Sequence, residues 1–98
     1  MAEAGRPGYE VHASALVQKT LRRLQRRASL EGRGEAVASA YRRIVERLSS
    51  DPLSFGEPIY HLPALRMEVR TAVLLPLAVD FGVYEGQPWV WIKGVKLL

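Results

Sequence analysis

The basic side chains that could bind an anion are concentrated at residues 21–27, LRRLQRR. Together with the preceding lysine, the four arginines stand at i, i+3, i+4, i+7 and i+8, as Lys19, Arg22, Arg23, Arg26 and Arg27. In a helix this spacing puts all five on one face, about 200° around the axis from the apolar face that includes Val17. We call this face the cationic ridge. Three interpretations stay open: it contacts phosphates of a nucleic acid, it docks an acidic protein segment, or it is only a solvated surface.

The distribution of charge favours an acidic partner. The 98-residue chain has a formal charge of +4, but residues 1–50 contain ten Lys and Arg against five Asp and Glu, whereas residues 51–98 contain four against five. The positive charge therefore belongs to the first half. Such asymmetry is typical of chains that meet RNA, DNA or an acidic protein segment.

Composition excludes several kinds of site. Without cysteine, the chain has no disulfide, thiolate metal site or cysteine nucleophile, which suits a reducing cytoplasm. His12 and His61 are too sparse to predict a metal site, so each is expected to be structural or on the surface. The sequence shows no Ser-His-Asp set that would predict nucleophilic catalysis. It also shows no nucleotide-binding motif, so no cofactor is predicted. No apolar run approaches the roughly 20 residues of a membrane-spanning helix, and no signal peptide is recognisable, so we expect a cytoplasmic protein.

The first half is predicted to form a strand and a helix hairpin. Residues 1–8 are expected to be a flexible N-terminus, followed by a single domain at 9–98 that starts with a short strand at 9–11. Ser14 is a candidate N-cap of the first helix, and a second helix follows the EGRGE turn and ends at SSDP. The apolar stripes of the two helices are Val17, Leu21, Leu24 and Ala28, and Val37, Ala40, Tyr41, Ile44, Val45 and Leu48.

The second half alternates with the period of two that is typical of strands. Strands are predicted at 59–62, around 65–70, at 77–84 and from 89 to about 95, with EGQP as the last turn. The predicted fold class is α+β with the order β-α-α-β-β-β, in which the helix hairpin packs on one face of a mostly antiparallel, twisted sheet.

The length of the EGQP turn fixes the predicted register of the last two strands. Toward the helices it pairs Val83 with Val90 and Phe81 with Ile92. On the other face it pairs Tyr84 with Trp89, Gly82 with Trp91 and Asp80 with Lys93, and Arg66, Glu68 and Arg70 are expected to join them from the neighbouring strand. Single-stranded nucleic acid binds such a mixture of rings and cations, whereas a protein partner and a plain structural role are the alternatives.

The segments DPLSFGEPIYHLPALRMEVR and LPLAVDFGVYEGQPWVWI, together with the element order, resemble the RelE/ParE superfamily of small bacterial toxins. The likeness rests on the pattern L..dP..fG.p...L....R....R after the second helix, followed by a hydrophobic strand, a turn and another strand. It covers roughly residues 9–96. It implies the toxin component of a type II toxin–antitoxin system, which a cognate antitoxin holds inactive in the bacterial cytoplasm.

The resemblance implies two activities: metal-independent cleavage of mRNA on the ribosome, and poisoning of DNA gyrase without catalysis. For cleavage, it assigns Arg66 and Arg70 to phosphate stabilisation, Tyr84 or Lys93 to proton transfer and Trp91 to base stacking. The nucleic-acid-binding set would comprise Lys19, Arg22, Arg23, Arg26, Arg27, Trp89, Trp91 and Lys96.

Two places depart from the cleaving members of that family. Glu68 stands where a lysine is favoured, and a carboxylate beside the scissile phosphate would repel it. Pro76 and Leu77 begin a strand where an arginine is expected. A gyrase poison, or an RNA- or protein-binding module of the same fold without activity of its own, therefore stays open beside the nuclease.

Overall fold

A computed structural model describes residues 8–98. Its elements are β1 (Glu10–Ala13), α1 (Ala15–Leu30), α2 (Gly34–Ser50), β2 (Glu57–Leu62), β3 (Met67–Leu74), β4 (Leu77–Tyr84) and β5 (Trp89–Leu97). Within residues 8–98 the strands form one sheet in the order β1-β5-β4-β3-β2; β1 is parallel to β5 and the other neighbours are antiparallel. The predicted α+β class and element order are confirmed. The flexible segment predicted at 1–8 lies, apart from Gly8, outside the described residues.

Helix α1 begins where the sequence predicts, because Ser14 caps it. The Ser14 hydroxyl accepts a hydrogen bond from the Val17 amide at 3.1 Å. The apolar stripe of the helix is buried at Val17, Leu24 and Ala28, which turns the cationic ridge away from the core. The turn that follows contains Gly32 with φ of +76°, a conformation that glycine adopts without strain.

Helix α2 buries most of its predicted stripe in the same core, although Val45 is only half-buried. Val37, Ala40, Ile44 and Leu48 are all buried. Tyr41 packs against this cluster, and burial raises the pKa of its phenol above the ordinary value of 10.0. The helix ends at Ser50, just before the Asp-Pro pair of the sequence, because proline has no amide hydrogen to continue the helical bonds.

The main core lies between the helix hairpin and one face of the sheet. β4 and β5 contribute Phe81, Val83, Val90 and Ile92, each at most 2% exposed. Phe55, from the loop after α2, extends this layer, since its ring stacks on Phe81 with centroids 5.9 Å apart. The opposite face of the sheet, which we call the outer face, carries no helix from residues 8–98.

The predicted pairing of β4 with β5 is confirmed near the turn and wrong further along. The structure pairs Phe81 with Ile92, Gly82 with Trp91 and Val83 with Val90. Asp80, however, pairs with Gly94 instead of Lys93, because a register shift leaves Lys93 without a partner. Such an extra residue is a β-bulge, which an alternating sequence pattern does not reveal.

The predicted outer-face location of Glu68 and Arg70 is wrong, and Arg66, which was predicted on the same strand, is not part of that strand. Arg66 lies outside the strand, after a 3₁₀ turn, and has φ of +50°. Glu68 pairs with Val83, and Arg70 pairs with Phe81. Since directly paired residues point to the same face, Glu68 and Arg70 belong to the face toward the helices.

The error arose because apolar residues of β3 were expected to face the helices. Met67 and Val69 instead belong to the outer face, where Val69 pairs with Gly82. The Met67 thioether lies where a side chain at Gly82 would be, and Met67 is only 3% exposed. The outer face therefore buries apolar side chains without a helix, by packing its own residues over a glycine.

Gly56→Ala is expected to destabilise the fold more than its matched control, Gly32→Ala. Both glycines have positive φ, so alanine costs about 1 kcal/mol of backbone strain at either position. A Cβ at Gly56 would also overlap the carbonyl oxygen of Thr71, whereas nothing lies within 4 Å of one at Gly32. Urea unfolding should show a loss of about 3 kcal/mol or more for Gly56→Ala. Equal losses would mean that the loop at Gly56 can move away from β3.

Candidate nucleic-acid interface

The cationic ridge forms as predicted, with all five side chains exposed on α1. The ion pairs among residues 8–98 use other groups, so no carboxylate of this part of the chain pairs with the ridge. Its charges extend over about 12 Å of helix, at 1.5 Å per residue. Because these like charges repel one another, an anionic partner along the ridge would relieve an existing cost.

Two other arginines of the helix hairpin, Arg33 and Arg47, differ from those of the ridge because their side chains make contacts within the fold. Arg33 pairs with Glu31 at 3.1 Å. The Arg47 guanidinium lies 4.6 Å from the centre of the Phe55 ring, a cation–π contact. Helix α1, in contrast, contains no acidic residue at all. Arg42 and Arg43 of α2 are exposed and form no ion pair within residues 8–98 either, so the ridge is distinguished by having five cations on one helix without an acidic residue.

The tryptophans predicted to bind nucleic acid lie on the outer face, beside β1. Parallel pairing places His12 opposite Trp91, and their rings stack with centroids 4.8 Å apart at an interplanar angle of 23°. Trp89 is 38% exposed and meets the ring of Tyr84 edge-on at 5.6 Å. One side of Trp91 is therefore covered by a protein ring, and Trp89 is the more accessible of the two for a base.

The lysines of β5 follow these rings along the strand, Lys93 two residues after Trp91 and Lys96 further on. Both Lys93 and Lys96 are exposed, and Lys96 pairs with Ala78 on the outer face. Lys96 follows Trp89 by seven residues, which is roughly 23 Å along a regular strand. A nucleic acid would have to run along β5 to contact both.

The four residues predicted to cleave RNA do not form one site. Tyr84 pairs with Met67 on the outer face, so it lies on the opposite face of the sheet from Arg70. Lys93 belongs to β5, which β4 separates from β3. Of the other three, Arg66 is the one near Tyr84, because it immediately precedes Met67, the residue that pairs with Tyr84.

Arg70 holds the loop after α2 against the sheet. Its Nε donates to the Phe55 carbonyl oxygen at 3.1 Å, and its Nη2 donates to the Gly56 carbonyl oxygen at 3.0 Å. Nη1 pairs with Glu68, and the Arg70 side chain is only 8% exposed. Three acceptors thus surround the guanidinium, and Glu68, the carboxylate expected to repel a phosphate, is its counter-ion.

A histidine–carboxylate pair that the sequence did not predict lies near Arg66. His61 Nε2 and Glu85 Oε2 are 2.6 Å apart, and both side chains are 46% exposed. The Glu85 amide donates to the Arg66 carbonyl oxygen at 2.9 Å, and Arg66 Nη1 lies 4.0 Å from where a Cβ on Gly86 would be. Because 24 residues separate the pair, only strand pairing brings it together, and no local motif could have revealed it.

A depression of about 260 Å³ adjoins this pair. It is lined by Tyr9, Tyr84 and residues 85–88, so Glu85 contributes to both features. His61 and Arg66 are not among the residues that line it. Glu85 connects the depression to both, through its carboxylate to His61 and through its amide to the Arg66 carbonyl oxygen.

Two general findings limit the kinds of site in residues 8–98. No group of three or more His, Asp and Glu in this part of the chain has the arrangement of a metal site. None of its helices is long and apolar enough to cross a membrane.

No protein-family model matches this chain, and no curated protein sequence matches it. The resemblance to the RelE/ParE superfamily therefore stays a prediction made from the residues. The antitoxin, the ribosome and gyrase stay predicted partners for the same reason.

Arg70→Gln is expected to destabilise the protein, whereas Arg66→Gln should not. Removing the Arg70 guanidinium leaves two loop carbonyls and Glu68 without their partner, which costs about 3 kcal/mol. Arg66 is exposed, so its substitution should change stability by less than about 0.5 kcal/mol. Chemical unfolding of both variants measures the difference. An Arg70→Gln protein as stable as the parent would mean that this side chain is free to act elsewhere.

Proposed function

We propose that this protein is the toxin of a bacterial type II toxin–antitoxin pair and that it acts in the cytoplasm by binding RNA through the cationic ridge. The observation that carries the proposal is the ridge: five exposed cations on one helical face, without a carboxylate partner among residues 8–98. The phosphates of RNA supply a complementary row of charges, and the release of their counter-ions drives such binding. The assignment as a toxin rests on the resemblance, which implies a strand and a helix hairpin packed on a sheet.

The same ridge suits the predicted antitoxin. An acidic segment of that partner would meet five positive charges along about 12 Å of helix. Antitoxin and RNA would then compete for one surface, which gives inhibition a direct physical basis. The ridge lies on the hairpin, away from the outer face, so the aromatic residues there stay accessible in such a complex.

Arg23→Gln/Arg27→Gln is expected to weaken RNA binding more than Arg42→Gln/Arg43→Gln. Each double variant removes two exposed charges, but those on α2 stand three and four residues before Glu46. Loss of two phosphate contacts should reduce the slope of log affinity against log salt by about 1.4 for a single strand. Fluorescence anisotropy with a labelled RNA at several salt concentrations measures both quantities. Equal effects of the two variants would mean that RNA binding depends on the overall positive charge of the hairpin and not on the ridge.

Growth after induction in a bacterial host tests the toxin assignment. The parent should stop growth, Arg23→Gln/Arg27→Gln should restore it at matched protein level, and the α2 variant should not. A folded, soluble parent that leaves growth unchanged would contradict the assignment in that host. Arrest with supercoiling defects and intact RNA would favour gyrase as the target.

A second candidate function, metal-independent RNA cleavage, is favoured by the His61–Glu85 pair beside Arg66. His61, oriented by Glu85, would accept the proton of a 2′-hydroxyl whose oxygen attacks the adjacent phosphorus. Arg66 would stabilise the charge on the phosphate while the bond to the 5′-oxygen breaks. Tyr84 lies on the outer face, whereas His61 pairs with Glu68 on the opposite face, so water would protonate the leaving oxygen and His61 would return its proton to the solvent. The products are a 2′,3′-cyclic phosphate and a 5′-hydroxyl.

His61→Gln is expected to lower the rate of RNA cleavage by a factor of about 10² to 10⁴, the usual contribution of a general base. His12→Gln is the matched control, because His12 also pairs with a glutamate, Glu10, at 3.0 Å but lies on the outer face. The assay uses RNA with a chelator present and identifies cyclic-phosphate ends. Equal rates for the two variants, or no cleavage by the parent with isolated RNA or ribosomes, would rule out this site.

A further inference from the structure

We infer that the cationic ridge contains a pocket for the terminal phosphate of an RNA strand, formed by Arg22, Gln25, Arg26 and Ser29. These positions follow the i, i+3, i+4, i+7 spacing of one helical face, and their side chains line one depression of about 240 Å³. The inference rests on the proposed function, since it names the group of the RNA that the ridge recognises.

The uncharged half of this pocket is held in place by α2. Gln25 Nε2 donates to the Gly34 carbonyl oxygen at 3.5 Å. The Ser29 hydroxyl lies where a side chain at position 34 would be, so the glycine leaves room for it. Both polar groups therefore rest on the first residue of α2, and Gln25 keeps a second amide hydrogen that this bond does not use.

The charged half consists of two guanidinium groups without an acid. Arg22 and Arg26 are four residues apart, which brings their side chains to the same side of the helix. Neither takes part in an ion pair among residues 8–98. Each can donate two parallel hydrogen bonds to phosphate oxygens.

The charge of the pocket matches a phosphate monoester better than a diester. A monoester carries about −1.5 to −2 at pH 7 and presents three strong acceptor oxygens. Two guanidiniums neutralise that charge, and Gln25 and Ser29 provide donors for the remaining oxygen. A diester inside a strand carries one charge, so it would leave one arginine without compensation. The other ridge cations, Lys19, Arg23 and Arg27, remain for diesters of the same strand.

The test compares one RNA sequence in three forms: with a 5′-phosphate, with a 3′-phosphate and with two hydroxyl ends. The parent should bind one of the phosphorylated forms about tenfold more tightly than the hydroxyl form, by anisotropy. Arg22→Gln/Arg26→Gln should lose this preference. Arg23→Gln/Arg27→Gln removes the same charge from the ridge and should keep the preference, although it binds every form more weakly. Gln25→Ala should reduce the preference several-fold without changing the salt dependence.

The outcomes separate the pocket from the proposed function. Equal binding of all three forms by the parent, or equal loss of preference in both arginine variants, overturns the pocket and leaves RNA binding by the ridge intact. If no RNA binds, the proposed function fails, and inorganic phosphate becomes the probe. A shift of the Gln25 side-chain amide signal on adding phosphate, lost in Arg22→Gln/Arg26→Gln, would then support the pocket alone. Absence of that shift would overturn it.

Discussion

In residues 8–98, two helices cover one face of a five-stranded sheet, and the rest of the fold depends on how the other face is covered. The hairpin seals one face of β4 and β5, where the best-buried side chains, such as Phe81 and Val90, are found. The other face must exclude water with its own residues. It does so by laying Met67 over Gly82 and by stacking His12 on Trp91. Burial of apolar surface is non-directional, so either face of a sheet can satisfy it once partners are close enough. For this reason the apolar residues of β3 could face away from the helices, opposite to the predicted orientation.

Arginine has two opposite roles in this molecule, and burial separates them. Arg70 is enclosed by two carbonyl oxygens and a carboxylate, and it connects the loop after α2 to the sheet. A charge that is out of water must be paired in this way, because its desolvation is costly. The arginines of the cationic ridge stay in water and need no partner for stability. They are therefore free to bind an anion, whereas Arg70 stabilises the fold.

The features that favour function lie in separate places. The cationic ridge is on the hairpin, and the His61–Glu85 pair lies at the end of the sheet near Arg66. Binding of phosphates and chemistry on RNA are thus proposals that can succeed or fail independently. A binding surface without a working acid–base pair gives a protein that occupies RNA or an antitoxin. The two together give one that also cleaves what it binds.

The sequence by itself determined the elements and the faces of the helices. Local rules suffice for these: Ser14 caps α1, a Pro ends α2, and a spacing of three and four residues puts the ridge opposite the buried stripe. The register at Trp91 also followed from the length of a turn. Only the tertiary structure decided that Lys93 occupies a bulge and that Arg70 is buried. It alone joined His61 to Glu85, because contacts between distant strands depend on pairing that no local pattern encodes.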